Sequence, residues 1–166
     1  MTFRRINRNE AGSYRKIRLE SLRESPEAFC STYDEAVLRS QESWEVQASQ
    51  SAAGSDRATF FAMHGDPVGL AAIYRDEKIP VIGDLIQAWV APEHRGTGTA
   101  EALINFAISW AAQQDFQTIR AEVTPSNSQV IGFYERLGFL RVEEAHIPQA
   151  DVVLNYNLQS APHQAP

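Results

Sequence analysis

A single cysteine, Cys30, occurs in 166 residues. No intrachain disulfide is therefore available, and a reducing compartment is the expectation. Lysine is nearly as scarce: Lys16 and Lys78 are the only two, so arginine carries almost all the positive charge. Positive charge is itself in deficit, with 15 Lys and Arg against 21 Asp and Glu and a formal net charge of −6. That balance argues against non-specific binding to nucleic acid or to an anionic membrane. No apolar run reaches the ~18–20 residues of a membrane span. The N-terminus, Met1-Thr2-Phe3-Arg4-Arg5-Ile6-Asn7-Arg8, is basic but lacks the apolar core of a signal peptide. There is no Cys/His cluster for a metal, no solenoid-length repeat and no interior linker. What is present is ordinary for a globular chain: 43% hydrophobic and 22% charged residues, in a length that suits one domain. A cytoplasmic enzyme or binding protein is the expected class.

Hydrophobic periodicity and punctuation divide the chain into elements. Phe3 to Ile6 reads as a short strand. Asn9 is placed to cap a helix from about Glu10 to Glu24, with Tyr14, Ile17, Arg18 and Leu22 giving an apolar stripe with a basic flank. Glu27 to Tyr33 reads as irregular. Ser40 caps a second helix, Gln41 to about Ser51. A hairpin follows, with strands Ala58–His64 and Val68–Arg75 about a Gly65-Asp66-Pro67 turn. Asp84 to Val90 is an apolar, buried strand. Glu101 to Ala112 is a helix with Ala102, Leu103, Phe106, Ala107 and Trp110 on one face. Thr118 to Val123 is a strand, and Ser126 caps a helix that runs to Leu137. Gly138 supplies the left-handed residue beyond it. Phe139 to Glu144 and Asp151 to Leu158 complete the set. The order β-α-α-β-β-β-α-β-α-β-β describes a mixed α/β sheet in one domain, residues 1–158, with 159–166 a loose tail.

Between the central strand and its helix lies Val90-Ala91-Pro92-Glu93-His94-Arg95-Gly96-Thr97-Gly98-Thr99-Ala100. A strand, a glycine loop and a helix N-terminus together make an anion site, because free amides and the helix dipole point the same way. A triphosphate-binding loop of Walker type needs Lys-Ser/Thr after its last glycine; here Thr99-Ala100 follows Gly98. A dinucleotide loop needs a third glycine, and position 101 is Glu. An ordinary turn with glycines for steric reasons remains the alternative for the loop alone.

The second informative stretch is Asn127-Ser128-Gln129-Val130-Ile131-Gly132-Phe133-Tyr134-Glu135-Arg136-Leu137-Gly138-Phe139. Alone it is a short amphipathic helix with a glycine stop and a packed tyrosine. Taken with the earlier Arg95-Gly96-Thr97-Gly98-Thr99-Ala100, it resembles the two signatures of the GCN5-related N-acetyltransferase (GNAT) family, in the right order and at the usual separation. The resemblance covers about residues 1–158. It implies a GNAT fold: a mixed, mostly antiparallel central sheet flanked by helices, with a splayed strand pair that admits acetyl-CoA.

The resemblance further implies particular roles. Ala88, Trp89 and Val90 would pair their backbone with the pantetheine arm. Arg95, Gly96, Thr97, Gly98, Thr99 and Ala100 would wrap the pyrophosphate through their amides. Asn127 would help hold the cofactor. Tyr134 would protonate the leaving thiolate, a role that suits a phenol with a pKa near 10; the plain alternative is a packing or hydrogen-bonding tyrosine. A backbone N–H of the splayed strand would stabilise the carbonyl oxygen as a neutral amine attacks the thioester. Asp84 or Glu122 would take the amine proton, directly or through water; either is otherwise a solvated or paired carboxylate. Phe29 and Tyr33 would line the acceptor cleft, with Trp44, Glu143 and His146 as further lining.

Two departures stand out. Thr97 replaces a basic residue common in the loop, and Ala88 replaces a larger one, an exchange expected to widen the acceptor cleft. Trp89 alternates with Ala88 and is expected to be core. His64 and His94 read as exposed. The implied function is acetyl transfer from acetyl-CoA to a primary amine of a small molecule or protein, without a metal. The acidic charge fits a cationic acceptor. A non-catalytic acyl-CoA-binding or regulatory module of the same fold is the alternative, and another acyl donor such as succinyl-CoA is a further one. A homodimer through exposed sheet edges is the partner arrangement that relatives suggest.

Overall fold

Residues 58 to 62 are buried at every position, the pattern of a strand covered on both faces. Phe60 belongs to one apolar cluster and Phe61 to another, so this strand is the partition between two cores. The computed structural model describes residues 1–143 and 151–158. The expected 159–166 tail and His146 lie outside the described residues.

The elements are β1 (Thr2–Arg5), α1 (Ala11–Glu24), α2 (Tyr33–Val37), α3 (Gln41–Ala52), β2 (Arg57–His64), β3 (Asp66–Arg75), β4 (Ile82–Val90), α4 (Thr99–Ala112), β5 (Thr118–Val123), α5 (Ser128–Arg136), β6 (Leu140–Arg141) and β7 (Val152–Asn157). Short 3₁₀ turns occupy Pro26–Ala28 and Pro92–His94. One seven-stranded sheet has the order β1-β2-β3-β4-β5-β7-β6. Every pairing is antiparallel except β4 with β5. The expected mixed, mostly antiparallel sheet flanked by helices is therefore present.

The larger core packs α4 and α5 on one face through Leu103, Ile104, Ala107, Ile131 and Tyr134. The other face packs α1 and α3 over β2, β3 and β4 through Tyr14, Ile17, Leu22, Trp44 and Trp89. The buried stripe of α4 is Leu103, Ile104, Ala107, Ile108 and Ala111, rotated from the expected one; Phe106 is 37% exposed. Both stripes share Leu103 and Ala107, and helical periodicity alone does not separate them.

Three further expectations change. Glu10, not Asn9, precedes α1, and its carboxylate bonds the Arg4 guanidinium at 2.6 and 2.8 Å instead of capping the helix. The segment expected to be irregular contains α2, started by a reciprocal Thr32–Glu35 capping box. Asn127, not Ser126, caps α5. Ser40 caps α3 as expected, accepting the Ser43 N–H at 3.1 Å, and Gly138 has φ +104° just beyond α5.

Candidate active site

The parallel pair β4–β5 is short. Ile82, Gly83 and Asp84 oppose Thr118, Ile119 and Arg120, and no pairing continues past Asp84. The last pair is clamped electrostatically. Arg120 Nε donates to Asp84 Oδ1 at 2.6 Å, and its terminal nitrogen reaches Asp84 Oδ2 at 3.0 Å and Asp76 Oδ2 at 2.8 Å. These carboxylates push the Arg120 pKa further up. Beyond the clamp the β5-side edge of β4, from Leu85 to Val90, has no strand beside it among the described residues.

A bulge shapes that free edge. Leu70 opposes Trp89 and Ala72 opposes Ile86, so Ala71 alone faces Gln87 and Ala88. Gln87 has φ +58°, a left-handed conformation uncommon for a side-chain-bearing residue. The bulge swings Gln87 toward α1, where its Oε1 accepts the Tyr14 hydroxyl at 2.9 Å. Ala88 packs on the α4 side and Trp89 is buried on the opposite one. Ala88 therefore does not widen the α1 side of the cleft; Gln87 is the residue that enters it. No sequence signal marked Gln87, since bulges have no fixed residue code off glycine.

At the end of β4 the glycine loop behaves as its composition requires. Gly96 has φ +72° and Gly98 φ +82°. A Cβ at either would meet nothing within 4 Å, so backbone conformation, not crowding, calls for glycine there. No side chain caps α4. The first helical bond runs from the Ala102 N–H to the Gly98 carbonyl at 3.0 Å, and the amides of residues 96–101 make no hydrogen bond among the described residues. A row of open amides at a helix N-terminus is the arrangement that binds an anion.

Arg95 is the exception within the motif. Its amide bonds the Pro92 carbonyl at 3.2 Å, and its side chain turns back to the Val90 carbonyl at 2.8 Å and to Glu24 at 2.7 Å. Arg95 thus moors the loop to β4 and to the end of α1 rather than offering an amide. Glu24 also accepts the Trp89 indole N–H at 2.9 Å. The bonds from Arg95, Ser25 and Trp89 hold its carboxyl down at about 2. Thr97 and Thr99 brace the loop internally: the Thr97 hydroxyl donates to the His94 carbonyl at 2.6 Å and lies 2.8 Å from that of Thr99.

Asn127 spends its Oδ1 on the Val130 N–H at 3.3 Å, and its amide nitrogen has no partner among the described residues. Tyr134 lies in the larger core, its ring 5.1 Å from that of Phe139. Burial pushes its phenol up to about 12. Its hydroxyl makes no hydrogen bond among the described residues, and the residue is 6% exposed.

The two candidate bases differ. Asp84 is committed to Arg120, as above. Glu122 is exposed, lies two residues past the last β4–β5 pair, and has no ion-pair partner among the described residues. On the α1 side, a cavity of about 250 Å³ is bounded by α1, α2, α3 and Gln87. Trp44, expected near the acceptor cleft, forms part of its wall. Phe29 lies under the Arg18 guanidinium at 4.5 Å, and Tyr33 is held by Arg23, whose guanidinium lies 4.7 Å from the ring. Glu143 is exposed. His64 and His94 sit side by side, ring centroids 5.4 Å apart.

Comparison with known proteins bears on the family and the fold. The model of the acetyltransferase (GNAT) family matches residues 18–139. An uncharacterized N-acetyltransferase of Methanocaldococcus jannaschii is 36% identical over 91 residues, which are 51% of this chain and 40% of that protein. The chain spans less than half the length of the curated relatives it matches. Among solved structures, a GNAT-family acetyltransferase of Streptococcus pneumoniae superposes with a TM-score of 0.76 at 21% identity, over 93% of this chain and 96% of that one. A spermidine N-acetyltransferase variant of Vibrio cholerae does so at 0.68 and 22% identity, over 96% of each. At such identities these structures speak for the fold alone.

Proposed function

The chain belongs to the acetyltransferase (GNAT) family, and from that premise we propose that it transfers an acetyl group from acetyl-CoA to a primary amine of a small molecule or protein by direct attack. The observation that carries this reading is the open edge of β4 beside a row of unbonded amides at the N-terminus of α4. Acetyl-CoA supplies the activated thioester. The amides of Gly96, Thr97, Gly98, Thr99 and Ala100 bind its pyrophosphate, while Arg95 keeps the loop in position through Glu24 and Val90. Ala88 and the N–H of Val90 present backbone groups to the pantetheine arm; the Val90 carbonyl is engaged by Arg95, and Trp89, expected to pair with the arm, turns its backbone to Leu70 of β3. The amide nitrogen of Asn127 adds a donor on the far wall.

Proton traffic divides between two residues. Glu122, exposed beyond the splay and without a partner among the described residues, accepts the amine proton. Asp84 serves instead to lock Arg120 at the point where the strands part. Tyr134 donates a proton to the departing sulfur, since its raised pKa keeps the phenol protonated through the neutral range.

The deciding experiment mixes purified protein with acetyl-CoA and a panel of amines and follows thiol release. Acceptor-dependent release supports the enzyme. Saturable acetyl-CoA binding with no release for any amine overturns it in favour of a non-catalytic binding module.

A further inference from the structure

Arg18 projects from the buried face of α1 and is only 6% exposed. No carboxylate lies within ion-pair distance of it among the described residues. Its polar contact is a long one, 3.4 Å to the Ser21 hydroxyl, and the Phe29 ring stacks against it. A buried guanidinium without a counter-charge is costly, and it cannot shed its proton to escape that cost. The fold retains it at the wall of the cavity that touches the splayed strand.

The rest of that wall is also rich in donors. Gln87 spends its Oε1 on Tyr14 and keeps its amide N–H groups. Arg39 lines the cavity, and its partners among the described residues are neutral: Ser43, Gln47 and the Trp44 ring. The one acid in the lining, Glu35, is exposed and is engaged by the Thr32 N–H in the α2 cap at 3.2 Å. Two cations and an amide donor surround a volume of about 250 Å³, below the ~300 Å³ at which drug-sized sites begin. The occupant that satisfies them is small and brings acceptor oxygens.

We propose that the acceptor is a small amine that also carries an anionic group, a carboxylate or a phosphate, and that Arg18 binds that group. The proposal rests on the acetyltransferase reading. It reverses the sign suggested by the overall charge of −6: the local cavity is cationic although the protein is acidic. The anion at Arg18 leaves the amine to be directed along Gln87 toward the edge of β4. A polyamine, cationic along its length, gains nothing from this cavity.

Calorimetry without acetyl-CoA tests the pocket apart from the chemistry. The probes are the common α-amino acids with their carboxamides, phosphoethanolamine with ethanolamine, and spermidine. The wild-type protein is expected to bind at least one anionic amine about tenfold or more tightly than its neutral partner, the size of a charge-assisted hydrogen bond. The amino-acid and phosphoethanolamine arms identify which anion is taken. Arg18→Gln is expected to abolish the preference and Arg18→Lys to keep part of it, with acetyl-CoA affinity in each variant serving as the check on folding. Equal binding of the acid and neutral members of every pair, or tighter binding of spermidine than of any anionic amine, overturns the proposal in the wild-type protein alone. Anion preference without thiol release retains the pocket and removes the transferase. Release with neutral or cationic amines and no anion preference does the reverse.

Discussion

A phenol walled in by aromatic rings is a poor base and a dependable holder of one proton, and Tyr134 is in that position. Its fold-raised pKa contributes stability that is full below the ordinary phenol value and lost as pH rises through about 12. Tyr134 ionisation therefore lies outside any neutral pH–rate profile. Tyr134→Phe should lower kcat about 100-fold at neutral pH, with little change in acetyl-CoA KM or Tm; steady-state kinetics that retain kcat within a few-fold remove the donor role. The carboxylates separate by the same kind of test. Glu122→Gln should cut kcat about 100-fold at neutral pH, and the loss should shrink as pH rises and the amine deprotonates unaided. Asp84→Asn should instead cost about 1–3 kcal/mol of stability by stripping Arg120 of a charged partner, read by denaturant unfolding, with a pH profile of unchanged shape. Asp84 and Glu122 were both legible as candidates through the family resemblance, laid on their strand positions. That one is paired and the other free depends on Arg120 and Asp76 meeting across the sheet, which sequence order does not reveal. Gln87 and Arg18 escaped for a related reason: a glutamine in a strand and an arginine in a helix have no meaning until the bulge and the α1 packing turn them into one cavity.

In the proposed function, cofactor binding turns on the glycine loop. Gly98 precedes α4 at φ +82° with open space around it. Gly98→Ala should thus impose only the left-handed penalty of roughly 1–2 kcal/mol, without a steric clash. Because that penalty is relieved by rotating the amides out of line, acetyl-CoA KM should rise about tenfold or more while the acceptor KM holds; a variant with wild-type acetyl-CoA KM argues that the amides do not hold the pyrophosphate. Most elements were readable from their own residues. The β2–β3 hairpin follows from two apolar runs about Gly65, β5 from period-2 alternation and the cap of α3 from Ser40, all local signals. The losses were also physical. α2 is five residues long, too short to show a period, and only its capping box announces it. At α1 the expected cap at Asn9 gave way to Glu10 because Arg4, from a different element, claimed the Glu10 carboxylate. Among the described residues β6 keeps Leu140 and Arg141 of the expected strand, at the edge of the sheet where one partner strand defines it.

At the scale of the whole molecule the sheet is two plates joined by a short seam. β1 to β4 form one, covered by α1 and α3 on one face and α4 on the other. β5, β7 and β6 form the second, and the strand ladder between the two has three residue pairs among the described residues, Ile82–Thr118, Gly83–Ile119 and Asp84–Arg120. Gly83 shows how tight that seam is: a Cβ there would lie 2.8 Å from Ile73 and 3.1 Å from Ile119. A ligand whose arm fills the gap beyond Asp84 adds contacts to both plates at once and none to the unfolded chain. Coenzyme A at 100 times its Kd should therefore stabilise the fold by about 2.7 kcal/mol. At roughly 2–4 °C per kcal/mol for a chain of this size, that is a rise in Tm of about 5–11 °C by scanning fluorimetry. The same ligand should slow amide exchange along Leu85–Val90, whose β5-side edge has no strand beside it among the described residues, more than along β2, which is paired on both sides already. A Tm rise with protection confined to the α4 loop would mean that the pyrophosphate is held while the splay stays empty. No rise at millimolar coenzyme A would remove the gap as a cofactor site altogether.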